Sequence, residues 1–149
     1  MHPEDRLLAA TWKDASHIEV SGFSVGFLSQ AAAADLLPRI RDALAVVYQC
    51  DAASFGEIRE AMPRILVAGA SGYLAKFSRP LALCELRAEY VAHASTTQET
   101  LALTLVHEGL HARVYVRRLS ARGLTRLREE RFATRAENTF ARRCRTPIS

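Results

Sequence analysis

The sequence predicts an α+β domain, a small mixed or antiparallel sheet packed on helices. Three observations predict it. Short runs with a period of two fall between residues 17 and 28 and between 64 and 86. Long runs with a three-four rhythm fall between 30 and 50 and again from 97 to 144. The chain has 149 residues, enough for one sizeable core and too few for two. We therefore expect one domain over residues 1–149.

The elements follow in order. Residues 1–14 carry little pattern and are expected to be loosely held. In His17–Leu28, Ile18 and Val20 alternate before Ser21-Gly22, and Phe23, Val25 and Phe27 alternate after it. This reads as a hairpin or one bent strand. His17 is expected to be exposed at a strand end. Gln30–Cys50 repeats Leu37, Ile40, Leu44 and Val47 along one helical face. Pro38 belongs in a first turn, which starts the regular helix near Leu36. Ser54 with Glu57 reads as a capping box opening a short helix that ends before Pro63.

Arg64–Gly69 is a short apolar run between breakers, hence a buried strand. A turn at Ser71-Gly72 leads to a second strand over Tyr73–Phe77, and Leu81–Leu86 makes a third. There Leu81, Leu83 and Glu85 share one face and Cys84 lies on the other. Glu89–His93 reads as a short extended piece. Thr96 with Glu99 then caps a helix over Thr97 to about Leu119, ended by Gly123. Arg117, Arg118 and Arg122 suit the negative end of that helix. Thr125 caps a last helix running to about Cys144, and Pro147 stops it.

Composition narrows the function classes. Hydrophobic residues make up 49% and charged residues 24%, as in ordinary soluble proteins. No run reaches the length that spans a bilayer, and the N-terminus leads into no signal-type apolar stretch. Cys50, Cys84 and Cys144 are odd in number and far apart, so we read them as reduced thiols in a cytoplasmic protein. The net charge of +4 is uneven. From Arg113 onward there are eleven arginines and three acids, a balance of +8 against −4 before it. Such a tail could meet nucleic acid, but only Phe132 and Phe140 accompany the arginines, too few aromatics for a stacking platform. A solvated helix face is the preferred reading.

The chemistry centres on His107-Glu108-Gly109-Leu110-His111. Residues four apart share a helix face, so both imidazoles point the same way and fill two corners of a zinc tetrahedron. Glu108 sits one step round the helix, beside the ion, where it can take a proton from water. The preceding Leu101–Val106 run is almost wholly apolar, and polar groups on a buried helix need partners. A metal supplies them; two hydrogen-bonded core histidines are the plainer alternative. In the last helix Leu127, Glu130, Ala133, Glu137, Phe140 and Cys144 follow a three-four rhythm, which puts two carboxylates on the core-facing stripe. A third protein ligand is needed, and Glu130 and Glu137 are both available.

The spacing from His107 and His111 across eighteen residues to Glu130 resembles the gluzincin signature, H-E-x-x-H-x18-E. Glu129-Glu130-Arg131-Phe132-Ala133-Thr134 is similar to the N-E-G-F-A-T stretch of gluzincin aminopeptidases. The resemblance covers the two terminal helices, about a quarter of the chain. It implies Glu130 as third ligand, one Zn2+ per chain, and a minimal zincin core. That core has an active-site helix, a glutamate helix, and a sheet whose edge strand aligns substrate. From its first strands to Phe140-Ala-Arg-Arg143 the chain also resembles a compact bacterial group of H-E-x-x-H proteins with little assigned function.

The sequence departs from these patterns in four places. Arg113 stands where zincins have an apolar residue, and Thr134 where thermolysin-like members have a histidine-orienting Asp. The aminopeptidase motif G-x-M-E-N and the downstream substrate subdomain are missing. Glu137, on the face of Glu130, is the expected histidine-orienting carboxylate. Tyr115, four after His111, is the foremost of four oxyanion donors considered, with Tyr73, Tyr90 and His93. The expected function is a zinc-dependent peptidase acting on a peptide or protein, with Glu108 as general base. The substrate pairs with an exposed edge, expected at Tyr90–His93 or Leu81–Leu86. The alternatives are a catalytically weak zincin scaffold used for binding, or a nucleic-acid-binding protein.

Overall fold

The computed structural model describes residues 1–69, 72–117 and 123–145. Helix α1 (Pro3–Asp14) precedes the hairpin β1 (Ser16–Val20) and β2 (Phe23–Phe27). Helices α2 (Gln30–Cys50) and α3 (Ala52–Ala61) lead to β3 (Arg64–Ala68), β4 (Ala75–Ser78) and β5 (Leu83–Arg87). Helices α4 (Ala88–Ala92), α5 (Gln98–Val116) and α6 (Arg126–Arg145) complete the described chain. The five strands form one mixed sheet in the order β1-β2-β3-β5-β4. The outer pairs are antiparallel, and β3 runs parallel to both β2 and β5.

The α+β class and most elements agree with the sequence. The hairpin turns at Ser21 and Gly22, both at positive φ, and α2 has the expected bounds. Thr125 accepts from the Arg128 N–H and opens α6 as expected. The expected helix end at Leu119 with Arg118 and Arg122, the turn residue Ser71 and the stop at Pro147 lie outside the described residues.

Several local expectations are corrected. Residues 3–14 form α1, because Leu8 and Trp12, four apart, pack on Leu66 and Leu83 across the lower face of the sheet. His17 is exposed on β1 as expected, its ring stacked on Trp12. Pro38 lies inside α2, whose start is set earlier by the Ser29 hydroxyl accepting from the Ala32 N–H. Asp51, not Ser54, caps α3 and accepts from the Ser54 N–H. Residues 88–92 are helical, ending at an extended His93.

The other face of the sheet carries the main core. Phe23, Val25, Phe27, Ile65, Val67, Cys84 and Leu86 meet the apolar faces of α2, α3 and α5. Thr97, not the expected Thr96, caps α5, its hydroxyl accepting from the Thr100 N–H. The helix buries Leu101, Ala102, Leu105, Val106, Gly109 and Ala112 over a wide face, so burial holds its polar residues in fixed directions. At Gly109 an added Cβ would lie 2.6 Å from the Ile58 side chain. The glycine inside the histidine motif is what lets α3 pack this closely against α5.

Candidate metal centre

Helix α5 presents His107, Glu108 and His111 toward α6, which supplies Glu129, Glu130 and Glu137. Glu130 spans both histidines: Oε1 lies 2.9 Å from His111 Nε2 and Oε2 lies 3.3 Å from His107 Nε2. One donor atom from each of the three residues falls within 4.8 Å of the others. The other ring nitrogens also face carboxylates. Glu137 Oε2 is 3.1 Å from His107 Nδ1, and Glu129 Oε1 is 3.2 Å from His111 Nδ1.

That arrangement has a definite chemical consequence. A neutral imidazole donates from one nitrogen and carries a lone pair on the other. Here both nitrogens of both rings point at carboxylate oxygens. If each Nδ1–H donates outward, each Nε2 lone pair meets Glu130 across about 3 Å, which is repulsive. A cation among the Nε2 and Oε atoms would relieve that repulsion. The donor set, two imidazoles and a carboxylate, is one that zinc accepts. Tetrahedral ligands about 2.05 Å from an ion stand about 3.3 Å apart, close to the two observed spacings. The outward Nδ1 partners match the pattern that fixes tautomer and ring direction in metal sites. The residues present fit the ion.

Glu137, the carboxylate expected to orient a histidine, faces Nδ1 of His107. Its counterpart on His111, Glu129, was not foreseen. Glu129 is 3% exposed and also accepts from Arg79 Nη2 at 3.2 Å. A signal existed: Glu129, Ala133, Ala136 and Phe140 repeat at four, three and four, and this set, not the one beginning at Leu127, turns inward. Leu127 is 63% exposed. Glu130 and Glu137 flank the inward line, at the rim where donors can reach the histidines.

Glu108 lies beside this cluster. Burial raises its pKa above the ordinary carboxylate value, partly offset by His111, His107 and the nearby Phe77 backbone N–H. Beneath it the fully buried Cys84 thiol is pushed well up, by burial first and then by Glu108.

A cleft of about 920 Å³ runs between β4, the first turn of α1 and the start of α6, with Glu108, His111, Glu129 and Glu130 on its wall. This corrects the expected substrate edge. β5 is interior to the sheet and residues 88–92 are helical, so the open edge beside the histidines is β4. Leu74 and Arg87 are bonded through their backbones. Antiparallel alternation then turns the backbone groups of Ala75 and Phe77 outward, toward the cleft.

Tyr115 is 43% exposed, with its ring 6.0 Å from the Arg79 guanidinium, outside the set of residues that line the cleft. Tyr90 shares a hydrogen bond with Thr104, and His93 Nδ1 accepts from the Ser95 N–H. Tyr73 does line the cleft, but its hydroxyl donates to Glu85 at 3.2 Å, and burial with the Glu85 charge raises its pKa to about 12. Arg113, the departure from the zincin pattern, pairs with Glu57 of α3.

The reduced-thiol expectation is overturned for two of the three cysteines. Cys50 and Cys144 form a disulfide with a Cα–Cα distance of 5.0 Å, and only Cys84 is free. The ends of α2 and α6 meet, although 94 residues separate the two cysteines. Disulfides persist mainly in oxidising compartments, so the cysteines no longer argue for the cytoplasm. Among the described residues no helix is long and apolar enough to cross a membrane.

Compared with known family models, curated proteins and solved structures, the chain has no match.

Proposed function

We propose that the chain is a zinc-dependent peptidase with Glu108 as general base. The observation that supports this most is the double facing of the histidines: all four imidazole nitrogens are opposed by carboxylates, an arrangement that a cation between Nε2 and Glu130 would satisfy. His107, His111 and Glu130 would hold the ion, and Glu137 and Glu129 would orient the two rings. Bound there, the ion would supply Lewis acidity for a scissile carbonyl and for water. Glu108, whose raised pKa brings its proton affinity closer to neutral pH, would take the proton of the attacking water and return it to the leaving amine. The outward backbone groups of Ala75 and Phe77 would pair with an extended peptide, as strand addition does at other sheet edges.

The first experiment is elemental analysis of purified protein. About one zinc per chain is expected, lost in Glu130→Ala; metal-free parent protein that also fails to take up added zinc rules the proposal out.

A second reading keeps the metal and drops the catalysis. The nearness of Glu108 to the Phe77 N–H favours it, because a carboxylate there competes for a backbone group that an incoming strand would use. Hydrolysis of a peptide library by parent and Glu108→Gln separates the two. An arginine-based nucleic-acid surface is less favoured, because Arg79, Arg113, Arg117 and Arg143 each engage a carboxylate.

A further inference from the structure

Among the described residues, helix α6 carries every carboxylate that contacts the imidazole nitrogens of His107 and His111, and few of its side chains are fully buried. Of its 20 residues only Glu129, Ala133 and Phe140 are buried. Two small patches of apolar burial hold a helix that also carries seven arginines. It lies along α5 over much of its length, with Ala136 and Cys144 half-buried against the core, and both its ends are fastened as well. The start follows Thr125, which caps it. At the far end Cys144 is bonded to Cys50 at the last turn of α2. Beside that bond Arg143 pairs with Asp51, the residue that caps α3. At 1.5 Å per residue the disulfide stands about 10 Å along the helix from Glu137 and about 21 Å from Glu130. A rigid helix fastened at its end cannot swing its carboxylates away from α5.

We propose that the Cys50–Cys144 disulfide is a redox-sensitive clasp that sets how tightly His107, His111 and Glu130 hold a divalent cation; this rests on the metal reading above. Both cysteines are half-buried, so a small thiol can reach them, whereas Cys84 is sealed. Reduction uses two equivalents of a thiol reductant. A first thiolate attacks one sulfur to give a mixed disulfide and one free cysteine thiolate. A second thiolate attacks the reductant's sulfur in that mixed disulfide, forming the reductant's own disulfide and expelling the other cysteine as a thiolate, and both cysteine sulfurs end protonated. Two electrons and two protons have passed to the protein. With the clasp open, α6 samples undocked positions, and cation binding must also dock the helix. Apparent affinity falls by the fraction of chains that remain docked. The coupling is reciprocal, so a bound cation must hold the disulfide against reduction by the same factor.

The test is zinc titration of the oxidised parent and of Cys50→Ala/Cys144→Ala by calorimetry, with helix content followed by circular dichroism. The variant is expected to bind on the order of tenfold more weakly. Affinities within twofold overturn the clasp and leave the metal reading standing, and no binding by either protein overturns both. Should the variant not fold, the parent alone suffices. Its Cys50–Cys144 pair is equilibrated in glutathione buffers with and without saturating zinc, and free thiols are counted by alkylation and mass. Zinc is expected to move the disulfide-to-thiol ratio about tenfold toward the disulfide. An unchanged ratio, or one moved toward the thiols, overturns the proposal.

Discussion

Glu129 offers the sharpest separation between a residue that holds a cation and one that aims a ligand. Its carboxylate makes two contacts, to His111 Nδ1 and to Arg79 Nη2, each at 3.2 Å. Glu129→Ala removes both. Arg79 is about half exposed and recovers water, so that half of the loss is small. His111 is 17% exposed, so its Nδ1–H loses a partner where water replaces it poorly, at a cost of about 1–3 kcal/mol in stability. Removing the carboxylate that orients a metal-bound histidine weakens metal binding by about 10–100-fold, or about 1.4–2.7 kcal/mol. Zinc calorimetry reads the second quantity, and thermal unfolding in chelator reads the first without interference from the ion. Glu129→Gln keeps an acceptor for Nδ1–H and is expected to fall between parent and Glu129→Ala. Glu130→Ala, by contrast, loses a ligand and should bind far more weakly than either. If Glu129→Ala binds zinc within twofold of the parent, Glu129 does not aim His111, and the two-sided account of the histidines fails.

Four further outcomes are expected. Glu108→Gln should retain zinc and lose peptide hydrolysis by about 10²–10⁴-fold; equal rates in single-turnover assays would remove Glu108 from the mechanism. Zinc at about a hundred times its Kd should add about 2.7 kcal/mol, raising Tm by roughly 5–10 °C over chelator-treated protein, with no such rise in His111→Ala. Gly109→Ala drives a Cβ to 2.6 Å from Ile58 and should cost about 1–3 kcal/mol; Ile58→Ala in the same chain should relieve part of it, which a double-mutant cycle in urea measures. Burial alone would raise the Asp51 pKa, but bonds from Ser54 and the Arg143 charge leave it below the ordinary value. Its folded-state pKa is therefore depressed, so its contribution is complete above about pH 4, the unfolded value, and fades as pH falls through the lower folded value. Asp51→Ala should cost about 1 kcal/mol at pH 7 and progressively less below pH 4, as followed by unfolding at several pH values.

What the sequence revealed, and what it hid, divides by the range of the interactions. The histidine motif is legible because its geometry is local: a four-residue spacing on a capped, apolar helix fixes two imidazoles on one face whatever else the chain does. The hairpin at Ser21-Gly22 is legible for the same reason. The burial of Glu129 is not, because the rotation of α6 about its axis is decided by α5. Leu127 and Glu129 themselves stand about 200° apart on the helix, but the stripes they begin share Ala133 and Phe140, so the two directions differ by only about 70°. Nothing local separates them until His111 is there to take the carboxylate. The strand order was hidden more deeply. β4 follows β3 in the chain, yet β5 inserts between them, and the inserted strand carries no mark of its position beyond the apolar character that every interior strand shares.

The disulfide and the metal cluster are consequences of the same hidden fact, the placement of α6. Composition made the cysteines look unrelated because they are distant in sequence and odd in number. Distance in sequence says little once two helices run side by side. With α6 laid along α5, its seventh and fourteenth residues before Cys144 are Glu137 and Glu130, two full heptads on one face. A chain that needed only a packed helix there would gain more from leucine at those positions than from carboxylates. Glutamates kept in step with a cysteine fastened to α2, and opposed by two imidazoles that are themselves backed by acids, are better explained by a cation than by packing. The same register links the two: moving α6 by one residue relative to α5 would separate Glu130 from Nε2 and Cys144 from Cys50 together. Each contact thus reports on the other, and a measurement that finds them independent would show that the helix is held by something other than its ends.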